Sequence, residues 1–443
     1  MPPLSRRVEA THPPIIALMR QLVADAGPGT VSLGQGAVHW APPARALAAA
    51  ASAAADPATS AYGDDMGTAE LRAALRASLA AEHGLPVVGR EEGRPWAYDV
   101  AVTAGANQAV ASLALALTDP AGAPSPAPPS PGVAVVFAPY YFNAVMALQL
   151  AGSALEVAPP APDGSWAPDV AWLRGRVAAG LAGRAAPVAM VYVVSPGNPT
   201  GVTLGRGALD ALVAATAACP STWLVLDSTY SAFSAAPPAL PSAPHVIHVG
   251  SFSKAFGAAG WRVGWIAFPE DGSGSLGRAL LKINDTWPIH AAHASQALAV
   301  ACLGPGAGRA WACQQVAGLA PSRAAARAAL EPLVAAGGAV SGGDAIYWWV
   351  TLPPACAGDD ASVVRWLVGK HGVAVVPGSA CGSPGHLRVA FGKPAPGAAF
   401  DEAARRLRAG CEELVGVGGM DGVRAWVAEQ QQERGAGGKG GRW

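Results

Sequence analysis

Val246-Ile247-His248-Val249-Gly250-Ser251-Phe252-Ser253-Lys254 runs from an apolar, β-branched segment straight into a polar motif. A short, continuously apolar run of this kind reads as a strand buried on both faces, as in a parallel sheet. The pattern recurs along the chain. Residues 100–103 lead into Ala104-Gly105-Ala106-Asn107, and 133–137 into Pro139-Tyr140-Tyr141. Residues 188–194 lead into Ser195-Pro196-Gly197-Asn198, and 223–226 into Asp227. Alanine-rich helical stretches such as 209–218 separate several of these runs. Strands alternating with helices predict an α/β layered domain, whose ligands gather at the carboxyl ends of the strands. Every polar motif falls at such an end.

At 443 residues the chain exceeds the usual size of one hydrophobic core, which predicts two domains. After about Trp287 the pattern changes: helical stretches surround a few strands at 345–352, 373–376 and 387–391, as in a smaller α+β domain. The expected division is an N-terminal arm or part of the small domain at 1–44, a large domain at 45–286, a small domain at 287–429 and a disordered tail at 430–443. The tail is glycine-rich and polar. The arm is proline-rich and irregular, and either joins the small domain or packs across a partner subunit. Residues 121–132 (AGAPSPAPPSPG) predict a surface loop, because that much proline suits neither helix nor central strand.

Composition excludes several classes. The formal net charge is zero, so no nucleic-acid partner is expected. Charged residues make up 14% and hydrophobic ones 51%, which suits an enzyme with much buried surface. No apolar run reaches membrane-spanning length. Residues 1–7 carry two arginines and no apolar core after them, unlike a secretory signal. A cytoplasmic location is expected, with a short organelle transit segment as the competing reading. Six cysteines are scattered without a CxxC pair, which reads as buried or incidental thiols. Nine histidines lack a supporting cysteine or carboxylate pattern, so no metal is expected. Ser251 and Ser253 do not form a GxSxG elbow, which argues against a serine hydrolase.

The opening stretch also carries chemistry. Lys254 stands beside two hydroxyls, and Arg262 follows eight residues on. A lysine that bonds covalently to an aldehyde must be neutral part of the time, and desolvation and nearby positive charge lower its pKa. Ser251, Ser253 and Arg262 supply donors and charge for a phosphate. The phosphorylated aldehyde that fits is pyridoxal phosphate. Asp227, at a strand end, either caps a turn or pairs with a protonated pyridine nitrogen. Tyr230 either packs or bonds the cofactor's ring oxygen. Asn198 belongs either to an ordinary turn or to the same ring oxygen. Gly105-Ala106-Asn107 opens a helix whose backbone N–H groups can reach a phosphate. Tyr141 either fills a core or stacks on a flat ring. Arg388, inside an apolar strand, is costly unless paired. It forms either a structural ion pair or a bidentate clamp on a carboxylate.

Taken in order, these motifs resemble the class I/II aminotransferases of the pyridoxal-phosphate fold type I superfamily. The match begins at Ser32-Leu33-Gly34-Gln35-Gly36 and passes Tyr62, Gly67 and Leu71-Arg72. It continues through 102–109, Asn198-Pro199-Thr200-Gly201, Asp227 with Tyr230, and Ser251-Phe252-Ser253-Lys254. It then takes in Gly260-Trp261-Arg262-Val263-Gly264-Trp265 and ends at Arg388. Ala138-Pro139-Tyr140-Tyr141-Phe142-Asn143, 363–367 and 382–389 are closer still to a plant and algal group acting on aromatic amino acids and methionine.

The resemblance implies a three-layer α/β/α large domain with a mostly parallel seven-stranded sheet, plus the smaller α+β domain. It implies that Lys254 is the Schiff-base lysine and proton shuttle, and that Asp227 pairs with the pyridine nitrogen. Tyr230 and Asn198 would bind the ring oxygen and Tyr141 would stack on the ring. Ser251, Ser253, Arg262 and the Gly105-Ala106-Asn107 backbone would hold the phosphate. Tyr62 would reach the neighbouring subunit's phosphate in a homodimer. Arg388, Asn198 and the backbone of Gly36 would bind the substrate carboxylate. Trp40, with Trp287 and Tyr62, would wall an aromatic pocket. No arginine stands between Arg278 and Pro288, only Lys282, which weakens a dicarboxylate preference. The expected activity is transamination between an L-amino acid, aromatic or methionine favoured, and a 2-oxo acid, with ping-pong kinetics. The alternatives are a lyase carrying out β- or γ-elimination on the same scaffold, and a non-catalytic cofactor-binding regulator.

Overall fold

The computed structural model describes residues 2, 4–89, 94–120, 132–416 and 419–435. The proline-rich loop expected at 121–132 therefore lies outside the described residues except for Gly132. Seven strands build the main sheet: β1 Ala97–Thr103, β2 Val133–Phe137, β3 Leu155–Ala158, β4 Val188–Val194, β5 Trp223–Asp227, β6 Val246–Ser251 and β7 Gly264–Glu270. Their order is β1-β7-β6-β5-β4-β2-β3. β7 runs antiparallel to both neighbours, and every other pairing is parallel. The mostly parallel, seven-stranded α/β sheet is the one the resemblance implies. β3 and β7 were not among the expected strands. β3 has only four residues, and β7 includes Pro269, which weakens its strand signal.

Side chains alternate across the strands, so each strand feeds two cores. Val135, Val191, Leu224 and Val246 pack with helices Val170–Leu181 and Arg206–Ala217 on one face. Val136, Tyr192, Val225 and Ile247 pack on the other with helices Ala106–Leu117, Phe142–Ala151 and Ser275–Thr286. At the β1 edge, Tyr98, Val100 and Val102 meet helices Ala44–Ala55, Ala69–His83 and His293–Leu303. The result is helix, sheet and helix in three layers. Each buried aliphatic side chain contributes roughly 1.5–3 kcal/mol, which is why both faces of these strands are apolar.

A second, wholly antiparallel sheet holds β8 Ala339–Gly342, β9 Tyr347–Thr351, β10 Val376–Pro377 and β11 His386–Ala390, in the order β10-β11-β9-β8. The strand expected at 373–376 is split. Val373–Ala374 pairs in parallel with Val31–Ser32, and β10 pairs with β11. Ile15, Met19 and Leu33 from the N-terminal stretch share a core with Tyr347, Trp349 and Val389 of this sheet. The final helix runs Gly419–Gly435, so the first residues of the tail expected from 430 are helical instead. Gln430-Gln431-Gln432-Glu433-Arg434 are good helix formers, and the glycines begin only after them. Residues 436–443 lie outside the described residues. Among the described residues no helix is long and apolar enough to cross a membrane.

Candidate active site

The parallel strands deliver their motifs to one edge of the sheet. β5 ends on Asp227, β6 on Ser251, and Lys254 follows three residues later. β7 is antiparallel, so its first residue lies at that same edge: Gly264 pairs with both Thr103 and Ser251. That register brings Arg262 beside the helix start at Gly105.

Arg262, in the left-handed region with φ +50°, donates from Nη2 to the Ala104 carbonyl at 3.1 Å and from Nη1 to Ala259 at 2.8 Å. Its Nη1 also lies 3.5 Å from Ser253 Oγ, and Ser251 Oγ donates to Ser253 Oγ at 2.8 Å. Gly105 precedes helix Ala106–Leu117 with φ +84° and no side-chain cap. A β-carbon there would come within 2.5 Å of Arg262 Nη2. The first N–H groups of the helix lack intrahelical partners, and their end of the helix favours an anion. Two hydroxyls, a guanidinium and these amides converge here, and a side chain at position 105 would crowd the guanidinium.

Asp227 is 4% exposed. Burial pushes its carboxyl above the ordinary range, while Thr229, Tyr192 and the Lys254 charge pull it down. The Thr229 N–H donates to Oδ1 at 2.9 Å and the Tyr192 hydroxyl to Oδ2 at 2.8 Å. A cation placed opposite would keep such an acid ionised. Lys254 is half-buried, and its Nζ donates to the Gly36 carbonyl. Desolvation lowers the amine to about 8, Arg388 and Arg262 add to the shift, and Asp227 opposes it.

Arg388 sits in mid-strand on β11, paired with Trp349 and Val376. It is 1% exposed. Its Nη1 donates to Asn198 Oδ1 and its Nη2 to the Gly34 carbonyl, each at 2.7 Å. The guanidinium lies 4.5 Å from the Tyr347 ring centre and 5.4 Å from that of Phe142. Among the described residues no carboxylate forms an ion pair with it, and Nε is buried without a partner. A buried guanidinium held this way costs stability unless an anion arrives.

Tyr141 starts helix Phe142–Ala151. Its hydroxyl donates to Asn107 Oδ1 and accepts from Asn143 Nδ2, both at 3.0 Å, and burial pushes the phenol up to about 12. A cleft beside it is lined by Tyr140, Trp166, Tyr192 and Asn198 among others. Tyr230 is buried, with its hydroxyl 2.7 Å from that of Tyr347.

Of two further sequence-predicted site residues, one lies at the surface and the other is packed in the core next to Lys254. Tyr62 is 84% exposed. Trp40, expected in the substrate pocket, is buried against Phe233, and its indole N–H donates to the Ala255 carbonyl at 3.1 Å. An indole has one donor to satisfy, and a core carbonyl does so. Trp40 braces the loop just after Lys254. The sequence reading gave no role to Tyr347, Tyr192, Phe142 or Gly34, although the last two fall within motifs that carry the resemblance. Tyr347 and Tyr192 lie in apolar runs, where each looks like ordinary core.

A lysine with a lowered pKa, a buried acid, a guanidinium beside two hydroxyls at a helix start and a second, buried arginine are groups that fit pyridoxal phosphate and an amino or oxo acid. The family model "Aminotransferase class I and II" matches residues 28–407, and the chain belongs to that family. It is a pyridoxal-phosphate-dependent aminotransferase. The chain is 40% identical over 417 residues to "Aromatic aminotransferase ISS1" of Arabidopsis thaliana, covering 93% of this chain and 97% of that one. It is 26% identical over 415 residues to a bifunctional aspartate aminotransferase and glutamate/aspartate-prephenate aminotransferase of Petunia hybrida, covering 88% and 79%. Aspartate aminotransferase from Thermus thermophilus with maleate superposes with a TM-score of 0.78 at 24% identity, covering 93% and 100%, a likeness of fold.

Proposed function

We propose that this aminotransferase favours aromatic L-amino acids and methionine as donors and runs in two half-reactions with 2-oxo acids. The observation that carries the reading is Arg388, buried with an unpartnered Nε and near enough for its charge to lower the Lys254 amine. An α-carboxylate supplies the missing charge and accepts in the guanidinium's fork geometry, with the Gly36 backbone beside it. Tyr141, Phe142, Tyr230 and Tyr347 surround that point with rings, which supports an aromatic side chain over a second carboxylate. Lys282, the one cation between Arg278 and Pro288, is exposed. The 40% identity to an aromatic aminotransferase supports the same preference.

Pyridoxal phosphate, when bound, supplies an electron sink for negative charge at the substrate α-carbon. The residues around it divide the work. Lys254 Nζ would hold the cofactor covalently and, once freed, would take the α-proton as the neutral amine and return it as the ammonium. Asp227 would hold positive charge at the ring nitrogen. Tyr230 and Asn198 would donate to the ring oxygen and Tyr141 would lie against the ring. Ser251, Ser253, Arg262 and the Gly105-Ala106-Asn107 backbone would hold the phosphate. Tyr62 reaches across a homodimer, a role its exposure supports.

A donor-by-acceptor panel tests the preference: tryptophan, phenylalanine, tyrosine, methionine and aspartate against pyruvate, 2-oxoglutarate and phenylpyruvate. Highest kcat/KM with aromatic donors or methionine is expected. Highest kcat/KM with aspartate would refute it, and ammonia release without any added oxo acid would point to a lyase.

A further inference from the structure

Tyr347 touches three parts of the site from the second sheet. Its hydroxyl lies 2.7 Å from that of Tyr230. Its ring lies under the Arg388 guanidinium, 4.5 Å from Cζ. Its oxygen occupies the space beside Gly36, where a β-carbon would come within 2.1 Å of it. The strand register fixes this placement. Tyr347 pairs with Ala390 and Trp349 with Arg388, so Tyr347 and Arg388 are diagonal neighbours on one face of the sheet. Both phenols are buried, Tyr347 to 1% exposure and Tyr230 to 3%.

A phenol has one proton to give. Two buried hydroxyls in contact make one bond between them, and only one of them donates in it. Once Tyr230 gives its proton to the cofactor's ring oxygen, its own oxygen can only accept, and Tyr347 must be the donor. We propose that Tyr347 is a positioning residue: as donor to Tyr230 it aims that phenol at the cofactor's ring oxygen, and as the ring beneath Arg388 it holds the guanidinium for the substrate carboxylate. The first half of this rests on the reading of Tyr230 given above. Chained hydrogen bonds polarise one another, so a Tyr230 that accepts from Tyr347 is a stronger donor than one that does not.

Tyr141, Arg388 and Cys381 face this pair, and Lys254 Nζ lies 6.0 Å from the Tyr230 ring centre. Burial holds both phenols above their ordinary range and pushes the Cys381 thiol up to about 12. In the loaded enzyme the visible band therefore titrates with the nitrogen that joins Lys254 to the cofactor. Donors to the ring oxygen draw off negative charge that would otherwise favour a proton on that nitrogen. Weakening them raises the pH midpoint of the band.

The test is a pH titration of the visible absorption of the loaded enzyme, with KM and kcat measured in parallel, on the wild type and on Tyr230→Phe, Tyr347→Phe and Tyr347→Leu. Tyr230→Phe removes the donor and should raise the midpoint by about 1 unit or more. Tyr347→Phe keeps the ring and removes only the relay, so the midpoint should rise by about 0.3 unit with KM unchanged. Tyr347→Leu also removes the face beneath Arg388, and KM for the amino donor should rise about 10-fold. A midpoint that moves in Tyr230→Phe but stays within about 0.1 unit in Tyr347→Phe would overturn the relay and leave Tyr347 as packing. A midpoint that moves in neither would remove the Tyr230 role first, and the relay with it. Should the leucine variant not fold, the phenylalanine variant still decides the relay.

Discussion

Lys254, Asp227, Asn198 and Ser251 lie at or just beyond strand ends of the large sheet, whereas Arg388 is set mid-strand in the small one and Tyr347 opens the neighbouring strand, paired into the same ladder. The first group borrows position from the parallel sheet. Its side chains lie at an edge where polar groups and loops are tolerated. The second group is locked by ladder hydrogen bonds and a surrounding core, so a guanidinium there must be satisfied by Asn198, Gly34 and two aromatic faces. On the function proposed above, the large sheet would carry the reactive groups around the cofactor, and the small sheet would carry recognition of the carboxylate. Substitutions in the first region should change turnover with little effect on folding. Those in the second should change substrate affinity and stability together.

The largest expected effect is at Lys254. Lys254→Ala should lower kcat/KM by roughly 10⁴-fold or more, with a melting temperature close to wild type, as read by steady-state assay and calorimetry. Next is Arg388→Lys. A point charge cannot reproduce the guanidinium fork, so KM for the amino donor should rise about 100-fold with a smaller change in kcat. The same variant should melt earlier, because Asn198 Oδ1 and the Gly34 carbonyl lose their donors. An unchanged KM would break the division of labour between the sheets. Gly105→Ala should weaken cofactor binding about 10-fold, since φ +84° and the 2.5 Å approach to Arg262 both oppose a side chain. Equilibrium titration with pyridoxal phosphate reads this out.

The smallest effect is a pH dependence. Lowering a lysine pKa enlarges its neutral fraction at a given pH, and only the neutral amine attacks an aldehyde. Capture of added pyridoxal phosphate by the cofactor-free protein should therefore rise with pH and be half-maximal near 8, where the Lys254 amine is placed. A midpoint at the ordinary lysine value of about 10.4 would show that the site does not lower it.

Much of this was legible before the structure. Doubly buried strands read as continuous apolar runs, and the residues that follow them fall at one sheet edge, so Asp227, Asn198 and Lys254 stood out as candidates by position. Arg388 stood out because a lone charge in an apolar strand calls for a reason. Tyr347 and Tyr192 did not, because a tyrosine in a buried strand looks the same whether its hydroxyl meets a catalytic group or a carbonyl. Only the register that sets Tyr347 diagonal to Arg388, and the packing that meets Tyr230, separates the two cases. Trp40 reads as a pocket wall from its place near a glycine motif; what the sequence does not show is that its ring packs on Phe233 and its indole N–H donates to the Ala255 carbonyl beside Lys254. The arm's pairing with residues 373–374 also lay beyond reach, since a two-residue parallel bridge leaves no periodic signal.

The account stands on Lys254 being the covalent anchor, and the chain has only five lysines, Lys254, Lys282, Lys370, Lys393 and Lys439. Borohydride reduction of the pyridoxal-phosphate-loaded enzyme, followed by peptide mapping by mass spectrometry, reads the attachment point directly. The expected result is a single reduced adduct on the peptide containing Ser253-Lys254-Ala255, absent from Lys254→Ala. An adduct on any of the other four lysines in place of this one would contradict it.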